Sequence, residues 1–267
     1  MVVSAHPLAS EVGINILKKG GNAADATIAV QFALAVVYPS AGNIGGGGFF
    51  LYRTNNGSCS TLDFREKAPL TSTRDMYLDS NNKVVKDLSL YSHLAVGVPG
   101  TVDGMVNIHE KYGQLPWEEL IQPAIDLATN GFELTRLEAN KLNRFNKKKG
   151  AINKNSEYYK ENYSEGDSIF LPQLSKTLIL IRDYKRAGFY NGQTARLLVK
   201  EMSLNGGKIN QKDLDSYQSI WRDPIISYYK GHKIISMSPP SSGGILLTQM
   251  LKMACKRFIQ FEKSILI

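Results

Sequence analysis

The stretch Ala23–Val37 is apolar nearly all the way round a helical wheel. A helix with no polar face has nothing to offer water, so this one is expected to be enclosed by the rest of the fold. Asn22 is placed to cap it and Pro39 to end it. Thr27 and Gln31 interrupt the run before it reaches the roughly 18 apolar residues of a membrane helix, so its place is a globular core. Enclosing such a helix takes mass, and 267 residues with 43% hydrophobic content are enough for one or two domains.

Elements on either side follow from spacing. Leu8, Val12 and Ile16 recur at helical intervals up to Lys18-Lys19-Gly20-Gly21, where cations and glycines suit a helix C-terminus. After the buried helix, glycines 45–48 lead into Phe49-Phe50-Leu51-Tyr52-Arg53, a turn at Asn55-Asn56-Gly57, and residues 60–65, together a β-hairpin. Residues 101–204 read as mainly helical, with Pro116 ahead of Trp117 and an apolar stripe at Leu174, Leu178 and Ile181. Strand character returns over 224–229 and 233–237, around Lys230-Gly231, and a last helix opens near Ile245. Strands at both ends with helices between predict an α+β fold whose mixed sheet joins distant segments, not a repeating βαβ array.

Several function classes lack their chemistry. The net charge of +8 would permit an acidic partner, and Arg144 with Lys147-Lys148-Lys149 is the densest basic cluster. Nucleic-acid surfaces pair such charges with stacking aromatics or a reading motif, so the cluster is read as a solvated loop and no nucleic acid is expected. The two cysteines, Cys59 and Cys255, are too far apart in sequence for a C-x-x-C pair. His6, His93, His109 and His232 are isolated, and His109-Glu110 lacks the second histidine of a zinc helix, so neither metal nor cofactor is expected. Residues 1–7 have no basic and leucine-rich export signal.

Three motifs admit two readings each. Glycines 45–48 suggest a phosphate cradle, but helix precedes and strand follows, the reverse of a P-loop, which favours close backbone packing. Arg65, in Asp63-Phe64-Arg65-Glu66, stands where a strand ends. Its planar fork could clamp the α-carboxylate of an amino-acid substrate; the ordinary alternative is an ion pair with Asp63 or Glu66. Ser241-Ser242-Gly243-Gly244 lacks a nucleophile elbow and a histidine partner, so a serine capping the following helix is the simpler role, with a pocket-lining role also open.

Taken in order, Gly20-Gly21-Asn22-Ala23-Ala24-Asp25-Ala26, residues 39–49, Asp63-Phe64-Arg65-Glu66, Gly97-Val98-Pro99-Gly100-Thr101 and Pro240-Ser241-Ser242-Gly243-Gly244 resemble the large subunit of the γ-glutamyltransferase (glutathione hydrolase) family. The resemblance implies part of a four-layer αββα sandwich of the N-terminal-nucleophile type. It implies a γ-glutamyl substrate such as glutathione, an acyl group passed to water, an amino acid or a peptide, and a small catalytic subunit cut from the same precursor. It makes Arg65 the clamp for the substrate α-carboxylate, with Asp63 and Glu66 as support. No catalytic residue is assigned, because the family's nucleophilic threonine lies in a Thr-Thr-His-like run and no Thr-Thr pair occurs here. Residues 1–251 are expected to be the family-like region, incomplete at both ends through an interrupted gene or shifted frame, with 252–267 a divergent tail. The family's usual location implies the periplasm or the exterior.

Overall fold

A computed structural model describes residues 1–149, 156–160 and 162–265, with the side chains of 148–149 and 255–265 outside the description. Helices α1 (Pro7–Lys18) and α2 (Ala23–Val37) precede a hairpin of β1 (Phe49–Arg53) and β2 (Cys59–Asp63). A short α3 (Leu88–Tyr91) and a 3-10 turn at His93–Ala95 lead to α4 (Thr101–Tyr112) and α5 (Trp117–Asn130). Strand β3 (Phe132–Glu133), α6 (Arg136–Lys149) and β4 (Ser168–Ile169) follow, then α7 (Pro172–Tyr184), α8 (Ala187–Tyr190), α9 (Gly192–Leu204) and α10 (Gln211–Ser216). The chain continues through β5 (Ile220–Arg222), β6 (Ile225–Tyr229) and β7 (His232–Ser236) into α11 (Gly243–Ile265), which runs unbroken past residue 251.

Helix α2 is the core, as its composition requires. Ile28, Ala29, Phe32, Ala33 and Val36 are fully buried against α1, α4 and α5. The Asn22 side chain accepts from the Ala24 and Asp25 amides, and Asp25 returns a bond from the Asn22 amide at 2.9 Å, which closes a capping box. The buried Asp25 carboxylate also accepts from Gln114 N at 3.0 Å and Leu115 N at 3.4 Å. Asn22 Nδ2 donates to the Tyr112 carbonyl at 2.6 Å. The first motif block is therefore structural: it fastens the start of α2 to the link between α4 and α5.

The main sheet has the order β1-β2-β5 and joins distant segments, with Thr61 opposite Arg222. Paired residues share a face. Phe50, Leu62 and Trp221 turn inward, where Tyr112 of α4 packs on Tyr52 at 4.7 Å and on Trp221 at 5.8 Å. Phe49, Asp63 and Ile220 share the opposite face with Leu51, which is 42% exposed, as Ile220 is 39% exposed. Around the buried Thr61 and Asp63 at its centre, that outer face leaves Leu51 and Ile220 open to solvent.

Three expectations are corrected. The described strand pairs are all antiparallel, so the sheet is not mixed. The C-terminal strand that completes it is β5; residues 225–236 form a separate ribbon of β6 and β7, after Asp223-Pro224 breaks the run. The mainly helical reading of 101–204 holds, with the β3–β4 pair set into it, whose two-residue strands are too short for a period-2 signal. The basic cluster at Lys147-Lys148-Lys149 ends helix α6 instead of lying in a loop, and the side chains of Lys148 and Lys149 fall outside the described residues. Cys255 does so too.

Candidate functional site

Three motif blocks meet at the turn after β2. Gly48 and Phe64 exchange backbone hydrogen bonds at 3.0 and 3.3 Å, which extends the β1–β2 pairing by one residue. The Gly46 carbonyl accepts from the Gly100 and Thr101 amides at 2.7 and 3.1 Å. Lys67 and Val98 pair across the other side at 2.8 and 3.2 Å. A Cβ on Gly47 would run into the Phe64 carbonyl and sit 2.9 Å from the Glu66 amide nitrogen, and one on Gly97 would sit 2.9 Å from Glu66 Cβ. The glycines thus serve backbone approach, as the reversed element order predicted, and what they approach is the segment carrying Arg65.

Arg65 is held at the backbone and free at the tip. Its amide donates to Asp63 Oδ1 at 3.1 Å, and its carbonyl accepts from the Tyr217 hydroxyl at 2.8 Å. Asp63 is itself fixed by Arg222, whose Nε and Nη2 reach Oδ2 at 3.0 and 2.9 Å. The Arg65 side chain is 55% exposed, and its Nε donates to Glu66 Oε2 at 3.0 Å. Its guanidinium carbon lies 5.6 Å from the Phe49 ring centroid, on the open outer face of the sheet. Of the two ion pairs open in the sequence, Glu66 makes one, while Asp63 serves the Arg65 backbone. The Nη atoms have no protein partner among the described residues, so the fork retains two donor groups for an anion.

Behind this turn lies a network without a sequence signature. Asp103 is buried and accepts from Arg186 Nε at 2.8 Å and from the Ser219 amide at 2.7 Å. Arg186 Nη2 donates to the Tyr217 carbonyl at 2.6 Å. Tyr190 donates to the Pro99 carbonyl at 2.7 Å and stacks on Tyr217, with centroids 5.8 Å apart and an 11° interplanar angle. Burial, reinforced by the Asp103 carboxylate, pushes both phenols above the ordinary value of 10.0. None of these residues stood out in the sequence: Asp103 shares its face of α4 with Asn107 and Glu110, so its charge looks like an ordinary polar position.

The serine-glycine block has a local role. Ser241 Oγ accepts from the Gly243 amide at 3.3 Å, and the Ser242 carbonyl accepts from Leu246 at 3.0 Å, so the block opens α11 as expected. A Cβ on Gly244 would strike the Met237 carbonyl. No hydrogen bond or ion pair ties this block to Arg65 among the described residues. None of the described His, Cys, Asp and Glu side chains form a group of three able to hold a metal ion.

The glycine run, the Arg65 turn and the 97–101 segment thus converge at one place in the fold. Residues 9–266 match the family described as Gamma-glutamyltranspeptidase. The chain belongs to that family. It is 43% identical over 255 residues to the glutathione hydrolase proenzyme of Escherichia coli (strain K12), a match covering 94% of this chain and 44% of the relative. The chain thus spans under half the length of that relative and corresponds to its N-terminal, large-subunit region. The solved Helicobacter pylori gamma-glutamyltranspeptidase superimposes with a TM-score of 0.91 at 48% identity, covering 94% of this chain and 73% of that one. A cephalosporin acylase from Bacillus halodurans superimposes at 0.75 with 25% identity, covering 88% and 45%. The gamma-glutamyltranspeptidase architecture is therefore the mixed α+β one shared with that acylase.

Proposed function

We propose that this chain is the large-subunit portion of a γ-glutamyltransferase, with Arg65 binding the α-carboxylate of a γ-glutamyl compound such as glutathione. The observation that carries the reading is Arg65 itself: a guanidinium with fixed backbone, both Nη groups open, at the rim of an uncovered sheet face. A carboxylate accepting two parallel N–H bonds from such a fork is held in orientation as well as in place. Glu66 stays on Nε and keeps the fork turned outward.

The family resemblance puts the nucleophile in the small subunit. In the proposed mechanism a threonine at the new N-terminus of the small subunit attacks the γ-carbonyl, with its own α-amine as base, and the acyl-enzyme passes to water, an amino acid or a peptide. Arg65 contributes positioning: an anchored α-carboxylate places the γ-carbon a fixed chain length away, where an incoming nucleophile can meet it. The open face of β1, β2 and β5, with Phe49, Leu51 and Ile220, is the natural seat for the second sheet of an αββα sandwich. The family's usual setting supports a periplasmic or extracellular site of action, and among the described residues no helix is long and apolar enough to cross a membrane.

A second reading, a non-catalytic remnant or binding protein, is favoured by the same uncovered apolar face if nothing ever covers it. Chromophore release from a γ-glutamyl anilide separates the two. The purified chain should be inactive alone and active when co-expressed with the C-terminal portion of a related proenzyme, and Arg65→Ala should lower the kcat/KM of that activity roughly ten- to a hundredfold. Failure of the soluble chain to associate or turn over substrate in either setting would leave the remnant reading standing.

A further inference from the structure

Arg65 has a held backbone, and the holder of its carbonyl is a single buried side chain. We propose that Tyr217 is a positioning residue for γ-glutamyl substrates, acting through the Arg65 carbonyl; this rests on the clamp role given to Arg65 above. Tyr217 is 2% exposed, yet its hydroxyl reaches out of the core to donate to Arg65 O at 2.8 Å. Its ring is clamped by the stacked Tyr190, and its own carbonyl is tied by Arg186, which Asp103 anchors. The next residue adds a second tie: the Gln218 carbonyl accepts from Lys67 Nζ at 2.7 Å, and that ammonium lies 5.0 Å from the Tyr217 ring centroid. A segment more than 150 positions away in sequence thus grips the Arg65 turn on its inner side.

The geometry has little slack. A Cβ on Gly100 would overlap both the Phe64 carbonyl and the Tyr217 hydroxyl, so the hydroxyl fills the gap between the 97–101 segment and the turn. Without it, the Arg65 carbonyl loses its partner and the peptide plane can rotate, which swings the side chain that leaves from the same Cα. The chemistry does not change and the threonine is untouched, so the cost falls on substrate binding.

The test uses the chain co-expressed with the C-terminal portion of a related proenzyme, comparing wild type, Tyr217→Phe and Arg65→Ala. Each is assayed with a γ-glutamyl anilide and with L-glutamate as competitive inhibitor, at a temperature well below every thermal midpoint. Tyr217→Phe should raise both KM and the inhibition constant roughly three- to tenfold, the worth of one lost hydrogen bond, with kcat within about twofold. Unchanged KM and inhibition constant in Tyr217→Phe, with both raised in Arg65→Ala, would overturn the positioning role and leave the clamp intact. A fall in kcat at constant KM would equally overturn it. Full activity in Arg65→Ala, or none in the wild-type complex, would overturn the clamp itself and the positioning role with it.

Discussion

Adjacent glycines in one run should tolerate a methyl group very differently, and the contrast is a sharp test of how the Arg65 turn is built. A Cβ on Gly45 would have Asn43 Oδ1 at 3.7 Å as its nearest neighbour, an ordinary contact. Two residues on, a Cβ on Gly47 would overlap the Phe64 carbonyl and press on the Glu66 amide nitrogen at 2.9 Å and the Arg65 carbonyl carbon at 3.0 Å. All three are backbone atoms, so no side chain can swing aside, and the turn must retreat by about an ångström. Overpacking of this kind costs about 1–3 kcal/mol, and at about 2–4 °C per kcal/mol for a chain near this size, Gly47→Ala should lower the midpoint by roughly 2–12 °C. Gly45→Ala should stay within about 1–2 °C of wild type. Thermal unfolding followed by circular dichroism compares the two directly. Equal midpoints for the two variants would refute the packing explanation and reopen a ligand-binding role for the run.

The other expectations are as follows. Asp103→Asn should destabilise the fold by about 2–4 kcal/mol in urea titrations, less than a fully enclosed ion pair would, because Arg186 keeps 31% of its side chain in solvent; an effect under about 0.5 kcal/mol would show that the pair does not brace the fold. Stability should fall at alkaline pH: the phenols of Tyr190 and Tyr217 are raised by burial, so above pH 10.0 the unfolded chain sheds protons that the folded chain retains, and the contribution present below that pH is lost as it rises. Tyr217→Phe should make that decline shallower, and an identical slope would count against the buried-phenol explanation. Leu51→Glu should reduce self-association of the isolated chain in sedimentation without lowering its midpoint, since Leu51 is 42% exposed on the uncovered face; unchanged association would place the sticky surface elsewhere.

What was legible in the sequence was what composition and local spacing encode. Helix α2 could be read because a run with no polar face has one destination, and its Asn22–Asp25 capping box lies within four residues. The β1–β2 hairpin could be read from its turn, where Gly57 takes φ +88°. The packing role that the run 45–48 shows at Gly47 and Gly48 followed from element order alone. Pairings across long separations stayed hidden: β5 is three residues long and carries no alternation, so residues 225–237 looked like the better partner for the N-terminal hairpin. At the site, the strand-end position of Arg65 left a carboxylate clamp and an ion pair both open, only the family resemblance pointed to the clamp, and the Glu66 partner was visible from adjacency. The hydroxyl of Tyr217 and the Asp103–Arg186 pair became visible only once α4, α8 and the 217–219 segment were folded together, because nothing in a single sequence links residues so far apart.

The most direct test is a cycle that removes either half of the proposed contact between Arg65 and the substrate. The chain, co-expressed with the C-terminal portion of a related proenzyme, is given a γ-glutamyl anilide and the analogue lacking only the α-carboxylate, in wild-type and Arg65→Ala forms. Wild type should prefer the carboxylated substrate in kcat/KM by roughly ten- to a hundredfold, the worth of a charge-assisted hydrogen bond, and Arg65→Ala should erase that preference. A preference that survives intact in Arg65→Ala would mean that some other group reads the α-carboxylate, and the assignment of Arg65 would be wrong.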